Sequence, residues 1–183
     1  MCGIVGYIGR SQAVDFVVDG LQSLEYRGYD SAGVSTIIDG QAVTTKQVGR
    51  VEALRGELTT LPVENTNVAI GHTRWATHGI PSIKNAHPHF NADETIFVVH
   101  NGIIENYQEL KDDLEALGYV FTSQTDTEVV AHLVHEALKY TPELLKAVEQ
   151  VVPQLKGAYA LGIVHTDHPD ELIAVREGSP LVI

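Results

Sequence analysis

The sequence predicts an α+β domain, and three observations carry that reading. Val- and Ile-rich segments of strand length lie on both sides of segments with helical periodicity. Strands and helices do not alternate steadily, so a doubly wound parallel sheet is disfavoured. Asp39-Gly40 between two such segments is a strong hairpin signal, and hairpins join antiparallel strands. With 183 residues, 44% hydrophobic and 20% charged, the chain is long enough for one domain with its own core.

Taken in order, residues 2–8 read as a strand. Ser11 is a candidate N-cap for a helix to about Tyr26, with Val14, Val17, Val18, Leu21 and Leu24 at helical spacing. Residues 25–33 form a polar, aromatic, glycine-containing loop. The hairpin strands are 34–38 and 41–48, and 51–58 is a short helix. A strand at 68–72 runs into a long irregular stretch to Phe90 that contains Pro81 and Pro88. Long loops inside compact domains tend to be functional. An apolar strand at 95–100 ends at Asn101-Gly102. A helix over 105–117 is stopped by Gly118, and 119–122 reads as a short strand. Thr125-Asp126-Thr127-Glu128 resembles a capping box opening a helix to Tyr140. A further helix covers 143–155, strands 158–164 and 172–176 pair across the turn at 165–170, and 179–183 reads as strand. There is no repeat, low-complexity tract or linker.

The net charge of −12 argues against nucleic acid and anionic membranes as partners and favours solubility. No apolar run is long enough to span a bilayer, and the start lacks the pattern of a signal peptide. A single cysteine excludes an internal disulfide and fits a reducing, cytoplasmic setting.

That cysteine is Cys2. The small second residue permits removal of Met1, after which one residue carries both a thiol and a free α-amine. Their unperturbed pKa values are about 8.5 and about 7.7–8.0, so the amine can take the thiol's proton near neutral pH. The competing reading is a small buried hydrophobe. Attack by a thiolate on a carboxamide builds negative charge on oxygen, which calls for hydrogen-bond donors. Asn101-Gly102 offers a side-chain amide and a backbone N–H, although Asn-Gly is also an ordinary turn pair. Arg74 could clamp a carboxylate, or be a surface ion pair. Asp126 could bind an ammonium group; the residues alone favour a first-turn acid stabilised by the helix dipole. His72, His78, His87, His89 and His100 raise the question of zinc, but their spacing matches no compact ligand motif. No metal and no cofactor are expected.

Six blocks occur in a characteristic order: Cys2-Gly3-Ile4-Val5-Gly6, Leu24 through Gly33, Gly71-His72-Thr73-Arg74-Trp75-Ala76-Thr77-His78-Gly79, Asn85-Ala86-His87-Pro88-His89, Val99 through Asn106, and Thr125-Asp126-Thr127-Glu128. Together they resemble the class II glutamine amidotransferases of the N-terminal-nucleophile hydrolase superfamily, from Cys2 to the last residue. The block from Glu25 to Gly33 resembles the branch that forms amino sugars and differs from the amidophosphoribosyltransferase and asparagine synthetase branches.

The resemblance implies a four-layer αββα sandwich with two antiparallel sheets. It implies Cys2 as nucleophile and its α-amine as base, with Asn101 and the Gly102 N–H as oxyanion hole. Arg74 and Thr77 would hold the α-carboxylate of L-glutamine, with His78 close by and Asp126 on the α-ammonium. Trp75 would lie on a loop closing over the site. A Cys2 thioester would form, releasing ammonia, and water would then release glutamate. In that branch a C-terminal sugar-phosphate isomerase domain of the same chain uses the ammonia to turn fructose 6-phosphate into glucosamine 6-phosphate, and the full-length enzyme is a possible homodimer. Residues 1–183 would be the glutaminase domain, truncated at its C-terminus, with the isomerase domain absent. The alternatives are a glutaminase feeding another acceptor and a catalytically idle fold that only binds glutamine or a partner.

Overall fold

The computed structural model describes residues 2–61, 63, 65–75 and 80–183. Among them, eight strands form two antiparallel sheets. The first contains β1 (Gly3–Ile8), β2 (Ser31–Ile38), β3 (Gln41–Val48) and β4 (Val68–Arg74), in the order β1-β4-β2-β3. The second contains β5 (His89–Phe90), β6 (Ile96–Gly102), β7 (Tyr159–His165) and β8 (Ile173–Glu177), in that order. The expected hairpin is present, with β2 and β3 joined at Asp39-Gly40.

The helices cover the two outer faces. Val14, Val17, Val18 and Leu21 form one stripe of α1 (Ala13–Leu24), and Val51, Leu54 and Leu58 one stripe of α2 (Val51–Leu58). Both stripes pack with Ala32, Val34 and Ala69 of the first sheet. On the other side, α3 (Tyr107–Ala116), α4 (Glu128–Leu138) and α5 (Leu144–Val151) bury Leu110, Leu114, Val130, Val134, Leu144 and Val148 with Ile96, Val98, Leu161 and Ile163. A third apolar layer lies between the sheets: Ile37, Val68 and Ile70 from one, Phe97, Val99 and Val164 from the other. The molecule is therefore the expected four-layer αββα sandwich.

Strand periodicity explains where the site falls. Side chains alternate between faces, so Val68, Ile70, His72 and Arg74 share the inward face of β4, and Phe97, Val99 and Asn101 that of β6. Both stripes are apolar along most of their length and become polar at one end. Ile4 pairs with His72, so Cys2, two residues before Ile4, falls on the same face at the same end.

Four local expectations change. The N-cap of α1 is Gln12 in the left-handed region (φ 60°), not Ser11. The first helical N–H groups are satisfied from a distant loop: Ala13 N–H donates to Thr66 O (2.9 Å) and Val14 N–H to Thr66 Oγ1 (3.2 Å), which removes the need for a side-chain cap. Residues 119–122 are not a strand, because the N–H groups of Thr122 and Ser123 go to the Glu128 carboxylate rather than to a neighbouring strand. The same bonds displace the capping box. The helix starts at Glu128 with Thr127 as N-cap, and Glu128 reaches back to Thr122 and Ser123 instead of to Thr125. Residues 179–183 carry no strand.

Candidate active site

Cys2 is half-buried at the entry to β1. Its Sγ accepts the Trp75 N–H at 3.1 Å and lies 3.4 Å from the Trp75 carbonyl oxygen, while Gly3 N–H donates to Thr73 Oγ1 at 3.1 Å. Burial pushes the thiol above its ordinary pKa, and the Trp75 N–H only partly offsets this. A thiol of this kind needs a base before it can attack.

Asn101 closes the polar end of β6. Its Oδ1 lies 2.9 Å from His72 Nε2 across the sandwich, and its Nδ2 donates to Cys2 O at 3.4 Å. Gly102 follows with φ 120°, a conformation that disfavours any other residue, and a Cβ there would run into the Ala158 carbonyl.

Arg74 is buried at the end of β4. Its Nη1 lies 3.8 Å from Asp30 Oδ1 and donates to Ile80 O at 3.4 Å. The carboxylate of Asp30 is itself fixed by Ser31 Oγ at 2.8 Å, and Asp30 N–H donates to Arg74 O at 2.7 Å. Asp126 is also buried. Its Oδ2 accepts the Ile104 N–H at 2.8 Å and lies 3.9 Å from His100 Nδ1, which is 2.9 Å from Thr127 Oγ1.

The turn that presents Asp126 is held from both sides. Asn85 and Gln124 exchange two hydrogen bonds, Gln124 N–H to Asn85 Oδ1 at 2.9 Å and Asn85 Nδ2 to Gln124 Oε1 at 3.1 Å. Glu128 accepts Thr122 N–H at 2.8 Å, Thr122 Oγ1 at 3.1 Å and Ser123 N–H at 2.6 Å. Burial alone would raise the Glu128 pKa. The hydrogen bonds from Ser123 and Thr122, with His132 Nε2 standing 3.6 Å away, outweigh it and hold the carboxyl well below the usual range.

Cys2, Arg74, Trp75, Asn101, Gly102 and Asp126 all line one cavity of about 610 Å³. Thr77 and His78 lie outside the described residues. His72, His87 and His100 also line the cavity, as do Arg27 and Thr127, which the sequence reading did not place there. The signal that could have found His72 is its place on the stripe Val68, Ile70, His72, Arg74. A larger cavity of about 810 Å³ lies by β3 and β5 around Lys46 and Phe90 and holds none of these residues. The smaller cavity combines a buried guanidinium, a buried carboxylate and a thiol. That set suits a zwitterionic amino acid whose side chain reaches the sulfur.

The comparisons agree with this chemistry. A family profile described as "Glutamine amidotransferase domain" matches residues 72–182. A glutamine–fructose-6-phosphate aminotransferase [isomerizing] from Acinetobacter baylyi is 60% identical over all 183 residues, and one from Symbiobacterium thermophilum is 55% identical. The chain spans 29% and 30% of the lengths of these two relatives. Among solved structures, a glutamine phosphoribosylpyrophosphate amidotransferase from B. subtilis superposes with a TM-score of 0.73 at 30% identity, covering 91% of this chain and 35% of that one. An allosteric regulatory enzyme of purine biosynthesis gives 0.79 at 30% identity, covering 97% and 37%. A glutamine aminotransferase class-II domain protein from Silicibacter pomeroyi shares the fold, with a TM-score of 0.60 at 15% identity, covering 100% and 79%. The chain belongs to the glutamine amidotransferase domain family.

Proposed function

We propose that this chain is the glutaminase unit of a longer glutamine–fructose-6-phosphate aminotransferase, and that it hydrolyses the side-chain amide of L-glutamine through a thioester on Cys2. The observation that carries the reading is the convergence of Cys2, Asn101, Arg74 and Asp126 on one cavity. The choice of acceptor is supported by identity of 60% and 55% to relatives named glutamine–fructose-6-phosphate aminotransferase, against 30% to the phosphoribosylpyrophosphate amidotransferase and to the regulatory enzyme of purine biosynthesis.

The steps follow from the residues. Removal of Met1 frees the Cys2 α-amine, which takes the thiol proton directly or through one water. The sulfur attacks the carboxamide carbon and the amide oxygen gains charge, which Asn101 Nδ2 and the Gly102 N–H stabilise. A donor of this kind is worth about 2.7–4 kcal/mol. The protonated amine passes its proton to the leaving nitrogen, so ammonia departs and a γ-glutamyl thioester remains. Water, deprotonated by the same amine, then releases glutamate. Arg74 holds the α-carboxylate and Asp126 the α-ammonium. Trp75, exposed at the rim, belongs to the segment that covers the bound amino acid.

The ammonia serves a sugar-phosphate isomerase domain carried by the parent chain, in the cytoplasm. Phosphate sites draw on several backbone N–H groups at a helix N-terminus, often with Lys or Arg; the candidate site offers an amino-acid clamp instead. The test is to incubate the Met1-processed chain with glutamine and fructose 6-phosphate and to assay the products separately. Glutamate without glucosamine 6-phosphate is expected. Enzymatic amino sugar above background contradicts the division of labour, and absence of glutamate from a folded, processed chain contradicts the glutaminase reading.

A further inference from the structure

We infer that His72 is a positioning residue for the amide reaction: its Nε2–H fixes the orientation of the Asn101 carboxamide, so that Nδ2 rather than Oδ1 faces the reacting centre. The inference rests on the glutaminase reading above and names the group that makes half of its oxyanion hole competent.

With the Asn101 carboxamide placed as it is, one His72 tautomer follows. Asn101 Nδ2 donates to Cys2 O at 3.4 Å, so Oδ1 is the atom 2.9 Å from His72 Nε2. A carbonyl oxygen only accepts, so the hydrogen sits on Nε2. His72 Nδ1 is buried and makes no hydrogen bond among the described residues, as a bare acceptor can at lower cost than an unsatisfied N–H, although the His100 backbone lies close enough to the ring to act on it. Were the carboxamide to flip, Oδ1 would face the Cys2 carbonyl and the developing oxyanion, and the NH₂ group would face the His72 N–H. Both contacts would then be repulsive.

The ring cannot turn freely to give up this bond. It stacks on His87, with centroids 4.1 Å apart and planes 22° apart. His87 is fixed in turn, since its Nδ1 accepts the His100 N–H at 3.3 Å. Its backbone passes over Gly33 of β2, where a Cβ would run into the His87 carbonyl. Burial lowers the pKa of His72 to about 3, so the ring stays neutral through the working range and keeps a single hydrogen. The bond thus links the two sheets at the polar end of their shared layer.

The test compares His72→Leu, which removes the donor, with His72→Gln, whose Nε2 can replace it. In the Met1-processed protein, His72→Leu should lower kcat for glutamine by about 10²-fold, the low end of the cost of losing an oxyanion donor, with KM changed less than about threefold. His72→Gln should recover most of that loss. An aldehyde analogue of glutamine forms a tetrahedral hemithioacetal with the thiol, and its affinity should fall with kcat in His72→Leu. Glutamine affinity measured in a Cys2→Ala background should not fall. In an Asn101→Ala background, His72→Leu should have little further effect on kcat. Equal losses in kcat, glutamine binding and unfolding temperature for both His72 variants would assign His72 a packing role and overturn the inference. Unchanged kcat in a folded His72→Leu would overturn it too. Failure of the glutaminase reading would look different, because the parent protein would neither turn over glutamine nor bind the aldehyde.

Discussion

Cys2 and Asp126 are the residues whose roles are most easily separated from their surroundings. Burial raises the Cys2 thiol, so the protonated form is favoured in the folded chain. This contribution to stability is present below the ordinary thiol pKa and is lost as pH rises through the folded value. In protein that retains Met1, the rate of alkylation by iodoacetamide should reach half its maximum at a higher pH than in the same chain unfolded in urea. A lower midpoint in the folded chain would mean that the thiolate, not the thiol, is favoured there. Asp126 makes a separate case. The Asp126→Asn substitution keeps an oxygen for the Ile104 N–H but removes the charge that would meet an ammonium group. Loss of one charge-assisted hydrogen bond costs about 1.5–3 kcal/mol, roughly 10- to 150-fold in glutamine affinity. An analogue lacking the α-amine should bind the two proteins alike, and equal weakening of both ligands would make Asp126 purely structural.

At the scale of elements, the turn before α4 is the most informative. Glu128 accepts three hydrogen bonds from Thr122 and Ser123 and thereby fixes the segment that presents Asp126. Its pKa is held low by those bonds and by His132, against the effect of burial. The stability it contributes is therefore complete above the ordinary glutamate pKa, declines as pH falls below it, and is lost only as pH passes through the much lower folded value. Glu128→Ala leaves several buried donors unmatched and should destabilise the fold by about 3 kcal/mol at neutral pH. Denaturant melts at pH 7 and pH 4 should show the gap between the two proteins narrowing at the lower pH, and a constant gap would assign the loss to packing. This turn also shows where sequence reading stopped. Thr125 to Glu128 has the pattern of a capping box, but local pattern cannot show that Glu128 bonds to Thr122 and Ser123 or that Asp126 takes the Ile104 N–H. The α1 cap failed in the same way, because Thr66, far away in sequence, meets the first N–H groups. By contrast, the helical stripe of α1 and the Asp39-Gly40 hairpin were readable because their signals are periodic or confined to adjacent residues.

Across the whole molecule, the geometry of the candidate site depends on the register between two sheets. The layer of Ile37, Val68, Ile70, Phe97, Val99 and Val164 sets the distance between β4 and β6, and so the distance from Arg74 and His72 to Asn101. Phe97→Ala should cost about 3–5 kcal/mol by emptying this layer. It should also lower kcat at temperatures where the protein is still folded. A stability loss with unchanged kcat would mean that the layer supports the fold without setting the site. The four-layer order was not legible in strand and helix patterns, which gave only α+β; it came from resemblance. Cys2, Arg74, Asn101, Gly102 and Asp126 could be proposed from their chemistry, while roles for Trp75, Thr77 and His78 came only from the resemblance; His72 was considered for zinc alone, because its contact with Asn101 exists only across the sandwich.

The claim on which all of this rests is that Cys2 carries the acyl group. Met1-processed protein should be mixed with glutamine, acid-quenched within the first turnovers and analysed by intact and peptide mass spectrometry. The account predicts that the N-terminal peptide beginning at Cys2 gains the mass of one glutamyl group, that hydroxylamine removes it, and that Cys2→Ala shows neither the adduct nor turnover. Glutamine hydrolysis that persists in Cys2→Ala, or an adduct on a different residue, would contradict it.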